Sequence, residues 1–470
     1  MKEEKKENLL DEKIEEMETE ESPKEKIQKE KRKKYIIKGI SSTIACIIHT
    51  CGYFSIWVIG NSVVYLISFR RHYNSKLTFS YGYFLFPIMN FTLSLTTPIG
   101  GIIEDKIGSK KTIFLSTLIL CFSFSIMLLS RNIFLDYALM SLNGFGMAVG
   151  INITRKNACS FFMKKKALIC GIVFLIPGLV NAALAIFYEK YILNPLSENP
   201  TVENIYYGEK IFLNFQNLII FEIGFIIITS FLTLLLYYQN NPKETIEFGF
   251  EERIDDDNKN TKNKNNIPKQ IKIQRALQNI RAVKLFVMIF SFFPTINFMT
   301  NTMRPIGIYY KLNTYYLQLI GALFSIIGCI SSIIFALIGD KIQFRIIFCL
   351  FAIFLSISSF YFPLTFHNEF LFICEIMIIS FVLNGFNIII DPHMMKVYGI
   401  DNYIEIGGVI RSSAGFAEIF SVIFAFYLEN NFTGNKDTIY KLMYVISGCF
   451  SLISFVLGLF EGDDVFYYDV

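Results

Sequence analysis

The sequence is short of charge, and the charge that it has is unevenly placed. Asp, Glu, Lys and Arg make up 18% of the 470 residues, whereas soluble proteins average roughly 25%. A large share of these residues lies in 1–38 and 239–284, which leaves many stretches of about 20 residues almost free of charge. This distribution excludes an ordinary soluble globular protein.

Several chemical signatures are also missing. The nine Cys residues form no CxxC pattern and no Cys/His spacing typical of zinc, so we interpret them as small buried apolar side chains. A phosphate-binding glycine loop, a Walker pattern and a nucleophile elbow are all absent from the sequence. We therefore expect no enzyme, no ATP-driven pump, and no metal or other cofactor. The net charge of +4 gives no support for nucleic-acid binding, and we expect no cleaved signal peptide.

What the sequence does have is hydrophobic residues, which reach 53% and include 49 Phe. A helix needs about 20 apolar residues to cross a bilayer, and only a helix satisfies its own backbone there. The sequence thus predicts an all-α membrane protein with twelve transmembrane helices, spans 1 to 12. The predicted spans are 40–69, 78–103, 111–130, 133–160, 167–188, 215–238, 284–308, 315–338, 345–366, 370–390, 404–428 and 439–460.

The polar stretch in the middle of the chain divides these spans into two sets of six. Asp255–Asn260 lies in a run that cannot bury enough apolar surface to fold. We predict a cytoplasmic linker at 239–283, ending in a short surface helix over Ile271–Val283. The remaining predicted units are a charged tail at 1–38, six-helix bundles at 39–238 and 284–460, and a C-terminal tail at 461–470.

Basic residues set the predicted orientation. Lys24–Lys38 carries a cluster of them just before span 1, which places the N-terminus in the cytoplasm. An even number of spans then places the C-terminus there too. We expect a monomeric multi-pass protein in contact with the lipid bilayer of the plasma membrane, with an organelle membrane as the alternative.

Two similar loops lie half a chain apart. In Gly100–Lys111, a glycine is followed by three residues, Asp-Lys, one residue, a second glycine and then basic residues. A less complete copy of this pattern follows at Ala336–Arg345. The first loop resembles the signature loop between helices 2 and 3 of the major facilitator superfamily. That resemblance implies two pseudo-symmetric bundles, in which the loop latches one conformation. The predicted latch residues are Gly101, Asp105, Lys106, Gly108, Lys110, Asp340 and Lys341.

The loop chemistry fits that role. Gly101 and Gly108 allow close helix approach and a tight turn. We expect Asp105 at the N-terminus of a helix of the other bundle, where the helix dipole favours a carboxylate. The copy has Ala336 where the loop has glycine, so we expect its latch to be weaker. The alternative is a solvated loop that merely follows charge bias.

A narrower resemblance extends along the chain. Asn143–Gly150 followed by Phe161–Gly171 looks like helices 4–5 of the oxalate/formate antiporter and monocarboxylate transporter group. The resemblance implies a small organic anion as substrate. The chain departs from the group at Ser332, where helix 8 often carries an arginine. A lysine common on helix 11 is also missing at Ala414, although Arg411 lies on nearly the same face.

Charges inside spans are costly, so each of them needs a reason. Arg411 and Glu418 lie on one face of span 11, about 10 Å apart along the axis. We hypothesise that Arg411 binds the substrate carboxylate through its planar fork of donors; an ion pair between helices near the cytoplasmic end is the alternative. Glu418 is the preferred proton-coupling group and Glu375 a weaker one, with a structural contact as the competing interpretation.

Other intramembrane residues are less clear. Arg155 either snorkels to the headgroups or reaches the cavity as a substrate ligand. Trp57, Asn61 and Tyr65 fall at helical spacing on span 1 and could stack on and hydrogen-bond a small polar ligand. Aromatic packing explains Trp57 and Tyr65 nearly as well. We expect Glu222 to face outward or to hold a helix contact.

The prediction is a secondary active transporter of a small organic anion that works by alternating access. A monocarboxylate such as lactate, pyruvate or formate fits, as do oxalate and a larger acid such as pantothenate. Proton symport and antiport both remain open. The alternatives are an exporter of amphipathic drugs or lipids, and a membrane receptor or scaffold that transports nothing.

Overall fold

The described part of the chain is entirely helical. The computed structural model describes residues 23–58, 63–75, 77, 79–193, 209–241, 244, 280–312, 314–400, 402–431 and 436–462. These contain thirteen α-helices and no strand. Eleven of the helices are long and apolar enough to cross a membrane. The predicted all-α membrane fold is therefore confirmed.

The helices follow the predicted spans closely, and we number them accordingly. Two described helical segments fall in span 1, before and after residues 59–62, and one helix falls in each other span. The helices are α1a (Pro23–Val58), α1b (Val63–Arg71), α2 (Leu85–Ile107), α3 (Ser109–Leu129), α4 (Ile133–Phe161), α5 (Lys166–Phe187), α6 (Glu209–Leu236), α7 (Ile280–Tyr309), α8 (Thr314–Ile338), α9 (Phe344–Thr365), α10 (Glu369–Tyr398), α11 (Tyr403–Asn431) and α12 (Lys436–Gly458).

Helix α1a begins well before the apolar residues of span 1. Its described part begins at Pro23. Lys34 Nζ lies 2.8 Å from Glu30 Oε1 one turn earlier, a pairing that supports the charged part of the helix. Part of the predicted tail is thus helical and continuous with span 1. Most of the predicted surface helix at 271–283 lies outside the described residues.

Helix α10 is longer than predicted. The predicted span ends at 390, and that boundary was wrong: α10 continues through Pro392 to Tyr398. Asp391 is therefore an intramembrane carboxylate and not a loop residue.

The helices pack as two sets, α1–α6 and α7–α12, which meet along two seams. In one seam α2 packs on α11, and in the other α5 packs on α8. Small residues permit the close approach. A Cβ added at Gly171 of α5 would lie 2.2 Å from Ala336 Cβ, and one at Gly415 of α11 would lie 2.8 Å from Ser94 Cβ. These backbone contacts hold the two bundles against each other.

One end of the bundles carries both signature loops, and we call it the signature face. The loops between α2 and α3 and between α8 and α9 lie there, with the ends of α4 and α10 and the start of α11. The orientation predicted from basic residues makes this the cytoplasmic face. The other end is called the opposite face.

A fully buried ion pair fixes the N-terminal bundle near the opposite face. Arg70 Nε donates to Asp136 Oδ2 at 2.5 Å and Arg70 Nη2 to Oδ1 at 2.7 Å, and both side chains have no exposed surface. The guanidinium also donates to the carbonyls of Ser130 and Met127. The pair therefore ties α1b to the end of α3 and the start of α4.

Asp136→Asn should destabilise the protein strongly, because it leaves a buried guanidinium without its counter-charge. Breaking such a pair typically costs about 3–5 kcal/mol. We expect a clear fall in the melting temperature of the detergent-solubilised protein. Arg131→Gln, at an exposed arginine nearby, is the matched control and should leave it unchanged. Equal melting of Asp136→Asn and wild type would contradict the assigned role.

Candidate functional site

Three charged side chains meet between the bundles, about two turns from the signature face. Arg155 Nη1 of α4 donates to Asp391 Oδ2 of α10 at 2.5 Å. On the other side, Arg411 Nη2 of α11 lies 2.6 Å from Asp391 Oδ1. We call this cluster the Arg–Asp–Arg triad. It joins the two bundles because Arg155 belongs to one and Asp391 to the other.

The triad is mostly buried, and its donors are only partly used. Arg155 is 3% exposed and Asp391 is not exposed at all, whereas Arg411 is 23% exposed. The Nε atoms of both arginines have no hydrogen-bond partner among the described residues. The Arg155 guanidinium also lies 4.6 Å from the centre of the Phe174 ring, and the phenol of Tyr403 lies beside Asp391. Two cations thus share one buried anion, and Arg411 is the member of the triad that remains partly open.

This arrangement shows which partners the two arginines have in the present conformation. Snorkelling of Arg155 to the headgroups is wrong, because its guanidinium is buried against Asp391. For Arg411, the interhelical ion pair describes this conformation. Substrate binding by Arg155 and Arg411 stays a prediction.

A second polar cluster lies deeper between the bundles. Trp57 Nε1 of α1a donates to Asn90 Oδ1 of α2 at 3.0 Å, and Asn90 Nδ2 donates to Glu418 Oε1 of α11 at 3.0 Å. Glu418 is about 10 Å further along α11 than Arg411. This Trp–Asn–Glu relay also crosses from one bundle to the other. It brings together two residues singled out from the sequence, Trp57 and Glu418.

The other predicted ligands are placed elsewhere. Tyr65 of α1b is buried in the apolar core of the N-terminal bundle, against which Trp57 also packs, as the aromatic-packing alternative expects. Ligand binding by Tyr65 stays a prediction. Asn61 lies outside the described residues. Glu375 accepts a hydrogen bond from Ser358 of α9 and so faces a neighbour within its own bundle.

Glu222 of α6 holds a contact inside the N-terminal bundle. It accepts hydrogen bonds from Ser55 of α1a at 2.5 Å and from Tyr188 at 2.6 Å, and it has no exposed surface. The helix-contact interpretation describes its position, and outward orientation is wrong.

The second signature loop caps a helix of the other bundle. Asp340 Oδ1 accepts from the backbone N–H of Ala167 at 3.0 Å, and Oδ2 accepts from that of Leu168 at 3.3 Å. Both donors belong to the first turn of α5, where the helix dipole favours a carboxylate. Lys341 follows on the exposed surface. Asp340 thus ties α8 to α5 at the signature face.

The first signature loop is built differently. Gly108 has φ +83° between α2 and α3, and a Cβ at Gly101 would lie 3.1 Å from Ile404 Cγ2 of α11. Asp105 is exposed beside Glu405 and accepts no hydrogen bond from any residue that the structure describes. Lys106 and Lys110 are exposed as well. The capping contact expected of Asp105 is made by Asp340 instead. The relative strength of the two latches stays a prediction.

A further charged cluster lies within the C-terminal bundle at the signature face. Glu461 lies 2.9 Å from Arg281 Nε and 2.8 Å from Lys284 Nζ, both on α7, and 3.7 Å from His393 of α10. Burial alone would raise the pKa of Glu461, but hydrogen bonds from His393, Lys284 and Arg281 outweigh it and lower that pKa. The cluster fixes the end of α12 against α7 and α10.

Two residues of these clusters were missed from the sequence. Asp391 lies one residue beyond the predicted end of span 10, although apolar residues continue after the Asp391-Pro392 pair. Asn90 stands as the one amide in the apolar run of span 2. An amide in such a run commonly hydrogen-bonds across helices, and this was the signal that could have found it.

The comparisons with known proteins agree with this architecture. The family model of the Major Facilitator Superfamily matches residues 45–401. No curated protein matches the chain significantly in sequence. Among solved structures, a single-residue variant of the fucose:proton symporter FucP of E. coli is similar with a TM-score of 0.60 at 11% identity, covering 89% of this chain and 99% of that one. FucP in the outward conformation gives 0.58 at 12% identity, with the same coverage.

The proton:xylose symporter XylE, solved with 6-bromo-6-deoxy-D-glucose bound, has a TM-score of 0.62 at 9% identity, covering 90% of this chain and 94% of that one. At such low identity, the structural likeness shows the fold alone. The family model spans most of the chain, from span 1 into the loop before α11. The twelve-span helical architecture, the paired signature loops and this match together show that the chain belongs to the major facilitator superfamily.

Proposed function

We propose that this protein is a proton-coupled secondary transporter of a small organic anion, most simply a monocarboxylate. The observation that carries the proposal is the Arg–Asp–Arg triad, in which Arg155 and Arg411 share the single carboxylate of Asp391. A guanidinium binds a carboxylate through paired donors, and both arginines have donors to spare. A substrate carboxylate would supply the missing anion.

The charge balance of the interface supports coupling to one proton. Arg155 and Arg411 carry two positive charges, and Asp391 and Glu418 carry two negative charges when Glu418 is ionised. Adding a monoanion to this neutral set would leave a net charge inside the membrane, which is costly. A proton on Glu418 restores neutrality. One monoanion and one proton therefore form the cheapest combination to carry.

Alternating access follows from where the ties between the bundles lie. Arg155–Asp391 and the Asp340 cap both close the interface near the signature face. A substrate carboxylate that pairs with Arg155 would compete with Asp391 and loosen the first of these ties. The signature face would then open while the seams of α2 on α11 and α5 on α8 act as the pivot.

Motifs in the sequence support the same substrate class. The pattern of helices 4–5 resembles the oxalate/formate antiporter and monocarboxylate transporter group, and the basic residue on helix 11 is present as Arg411.

Plasma-membrane location, cytoplasmic termini and a monomeric state are parts of the proposal.

A second candidate is uptake of a neutral hydroxylated solute such as a sugar. The Trp–Asn–Glu relay favours it, since an indole, an amide and a carboxylate together suit stacking and hydrogen bonding to hydroxyls. The similar folds of the fucose and xylose proton symporters agree with it. In this case the triad would serve only as a gate.

A panel of labelled solutes separates the two candidates. The full-length protein is reconstituted in liposomes, and uptake of monocarboxylates, dicarboxylates, fucose and xylose is compared under one inward proton gradient. The proposal expects uptake of a monocarboxylate and none of the sugars. Uptake of sugars alone would favour the second candidate, and uptake of large amphipathic cations or lipids alone would favour a drug or lipid exporter.

Glu418→Gln should remove the dependence of uptake on the pH gradient. The amide keeps an oxygen that accepts from Asn90 but cannot bind and release a proton, so exchange of substrate at equal pH should continue while concentrative uptake is lost. Glu104→Gln is the matched control, because that carboxylate pairs with Lys156 inside the N-terminal bundle, away from Glu418. Full pH dependence in Glu418→Gln would remove Glu418 from the coupling mechanism.

A further inference from the structure

The Trp–Asn–Glu relay has a fixed hydrogen-bond polarity. An indole N–H only donates, so the atom of Asn90 facing Trp57 must be its carbonyl oxygen. The amide nitrogen of Asn90 therefore faces Glu418, and Glu418 Oε1 must accept. The orientation of the amide is thus dictated by Trp57 on one side, and it requires an acceptor on the other.

This polarity makes the contact sensitive to a proton on Glu418. An ionised carboxylate only accepts, and its hydrogen bond from Asn90 is charge-assisted and about twice as strong as a neutral one. Once Glu418 is protonated, one of its oxygens becomes a donor. Asn90 can then meet only the remaining carbonyl oxygen, in a neutral and weaker bond, because Trp57 prevents the amide from flipping.

Few other charges lie near Glu418. The segment from Phe79 to Ile103, which includes most of α2, has no charged residue, and α7 has none from Leu285 to Met303. The nearest charges towards the signature face are those of the triad. On α10, Glu375 faces α9, and Lys441 and Asp437 lie at the far end of α12. Arg304 is near the end of α7, and its side chain lies outside the described set. In the part of the chain that the structure describes, Asn90 is the one polar contact of the Glu418 carboxylate.

We propose that Asn90 is a positioning residue that transmits proton occupancy of Glu418 in the C-terminal bundle to Trp57 in the N-terminal bundle. An ionised Glu418 holds α11 against α2 and fixes Trp57 through the amide. A protonated Glu418 loosens that tie and releases Trp57. Its use in transport rests on the proposed function, but proton sensing by the relay does not require any particular substrate.

The chain contains a built-in reporter of this event. Trp57 is its only tryptophan, so tryptophan-selective excitation of the full-length protein reports on this relay alone. Emission of the detergent-solubilised wild type should follow a single proton-binding curve as pH is lowered. Glu418→Gln and Asn90→Leu should each abolish that pH-dependent change.

Matched variants separate the relay from general effects on structure. Thr92→Val lies two residues from Asn90 but faces Ser141 within its own bundle, so it should titrate like wild type. Asn90→Asp keeps an oxygen for the indole N–H and places a second carboxylate against Glu418. Two carboxylates that share a proton hold it more tightly, so the midpoint should move up by about one pH unit or more.

The outcomes are distinct. Emission that does not change with pH in the wild type, or that titrates equally in Glu418→Gln or Asn90→Leu, would overturn the proposal. Failure of Asn90→Asp to move the midpoint would also count against it. If the relay titrates as expected while liposomes take up no organic anion, the proposed function fails and the proton-sensing role of Asn90 stands.

Discussion

Replacing Arg411 by glutamine should raise the KM for a monocarboxylate about 30-fold or more, since a hydrogen-bonded charge pair lost from a desolvated site costs about 2–5 kcal/mol. The amount of protein in the membrane should not change, because Asp391 keeps Arg155 as its partner. Uptake by liposomes that contain equal amounts of each protein measures the KM and the maximal rate. The maximal rate should fall less than the affinity if Arg411 mainly binds the substrate.

Two further variants test whether the change in KM comes from the guanidinium of Arg411. Arg411→Lys keeps the charge and loses the planar fork, so an intermediate KM is expected. Arg345→Gln removes an exposed arginine at the start of α9 on the signature face and should behave as wild type. A wild-type KM in Arg411→Gln would show that Arg411 serves only as an interhelical partner.

Asp391→Asn should open the signature face. The substitution leaves Arg155 and Arg411 facing each other without a shared anion, and it breaks the ion pair between α4 and α10. Loss of a buried pair is worth about 3–5 kcal/mol, enough to shift a two-state equilibrium by a factor of a hundred or more. The conformation closed at this face should therefore lose most of its population.

Native thiols can report the opening. Cys46 and Cys170 are fully buried, and both lie close enough to Arg155 to feel its charge. In Asp391→Asn, we expect their labelling by a water-soluble maleimide, resolved by peptide mass spectrometry, to rise about tenfold or more. Arg155→Gln combined with Asp391→Asn should add little to the single variant, because both remove one interaction.

The control for this experiment is a neighbouring ion pair within one bundle. Lys156 Nζ lies 3.3 Å from Glu104 Oε2, also towards the signature face, but both residues belong to the N-terminal bundle. Glu104→Gln should leave labelling unchanged. Equal labelling of Asp391→Asn and wild type would show that the triad does not hold this face closed.

Much of the fold was predictable because hydropathy reports it directly. A run of apolar residues long enough to cross a bilayer has few structural alternatives, and each predicted span is helical in the structure. Ends are harder. The charged start of α1a and the passage of α10 through Pro392 are decided by helix pairing and packing, which a hydropathy pattern does not contain.

The candidate site was predictable only in part, because partners across the interface are distant in sequence. A buried arginine signals that some partner exists, but which carboxylate lies opposite Arg155 depends on how α4 and α10 pack. The link from Trp57 to Glu418 likewise needs Asn90 of a third helix. The signature loops show the same limit of sequence-based prediction. The loop at Asp340 matches the signature pattern less well than the loop at Asp105, yet Asp340 is the residue that caps α5.

Coupling of one proton to one monoanion is tested by uptake of a labelled monocarboxylate into liposomes that contain the full-length protein, with the pH gradient and the membrane potential imposed separately. The charge balance of Arg155, Arg411, Asp391 and Glu418 predicts accumulation that an inward proton gradient drives and that the potential leaves unchanged. Uptake that follows the potential and ignores the pH gradient, or no accumulation of any carboxylate, would contradict transport of one monoanion with one proton.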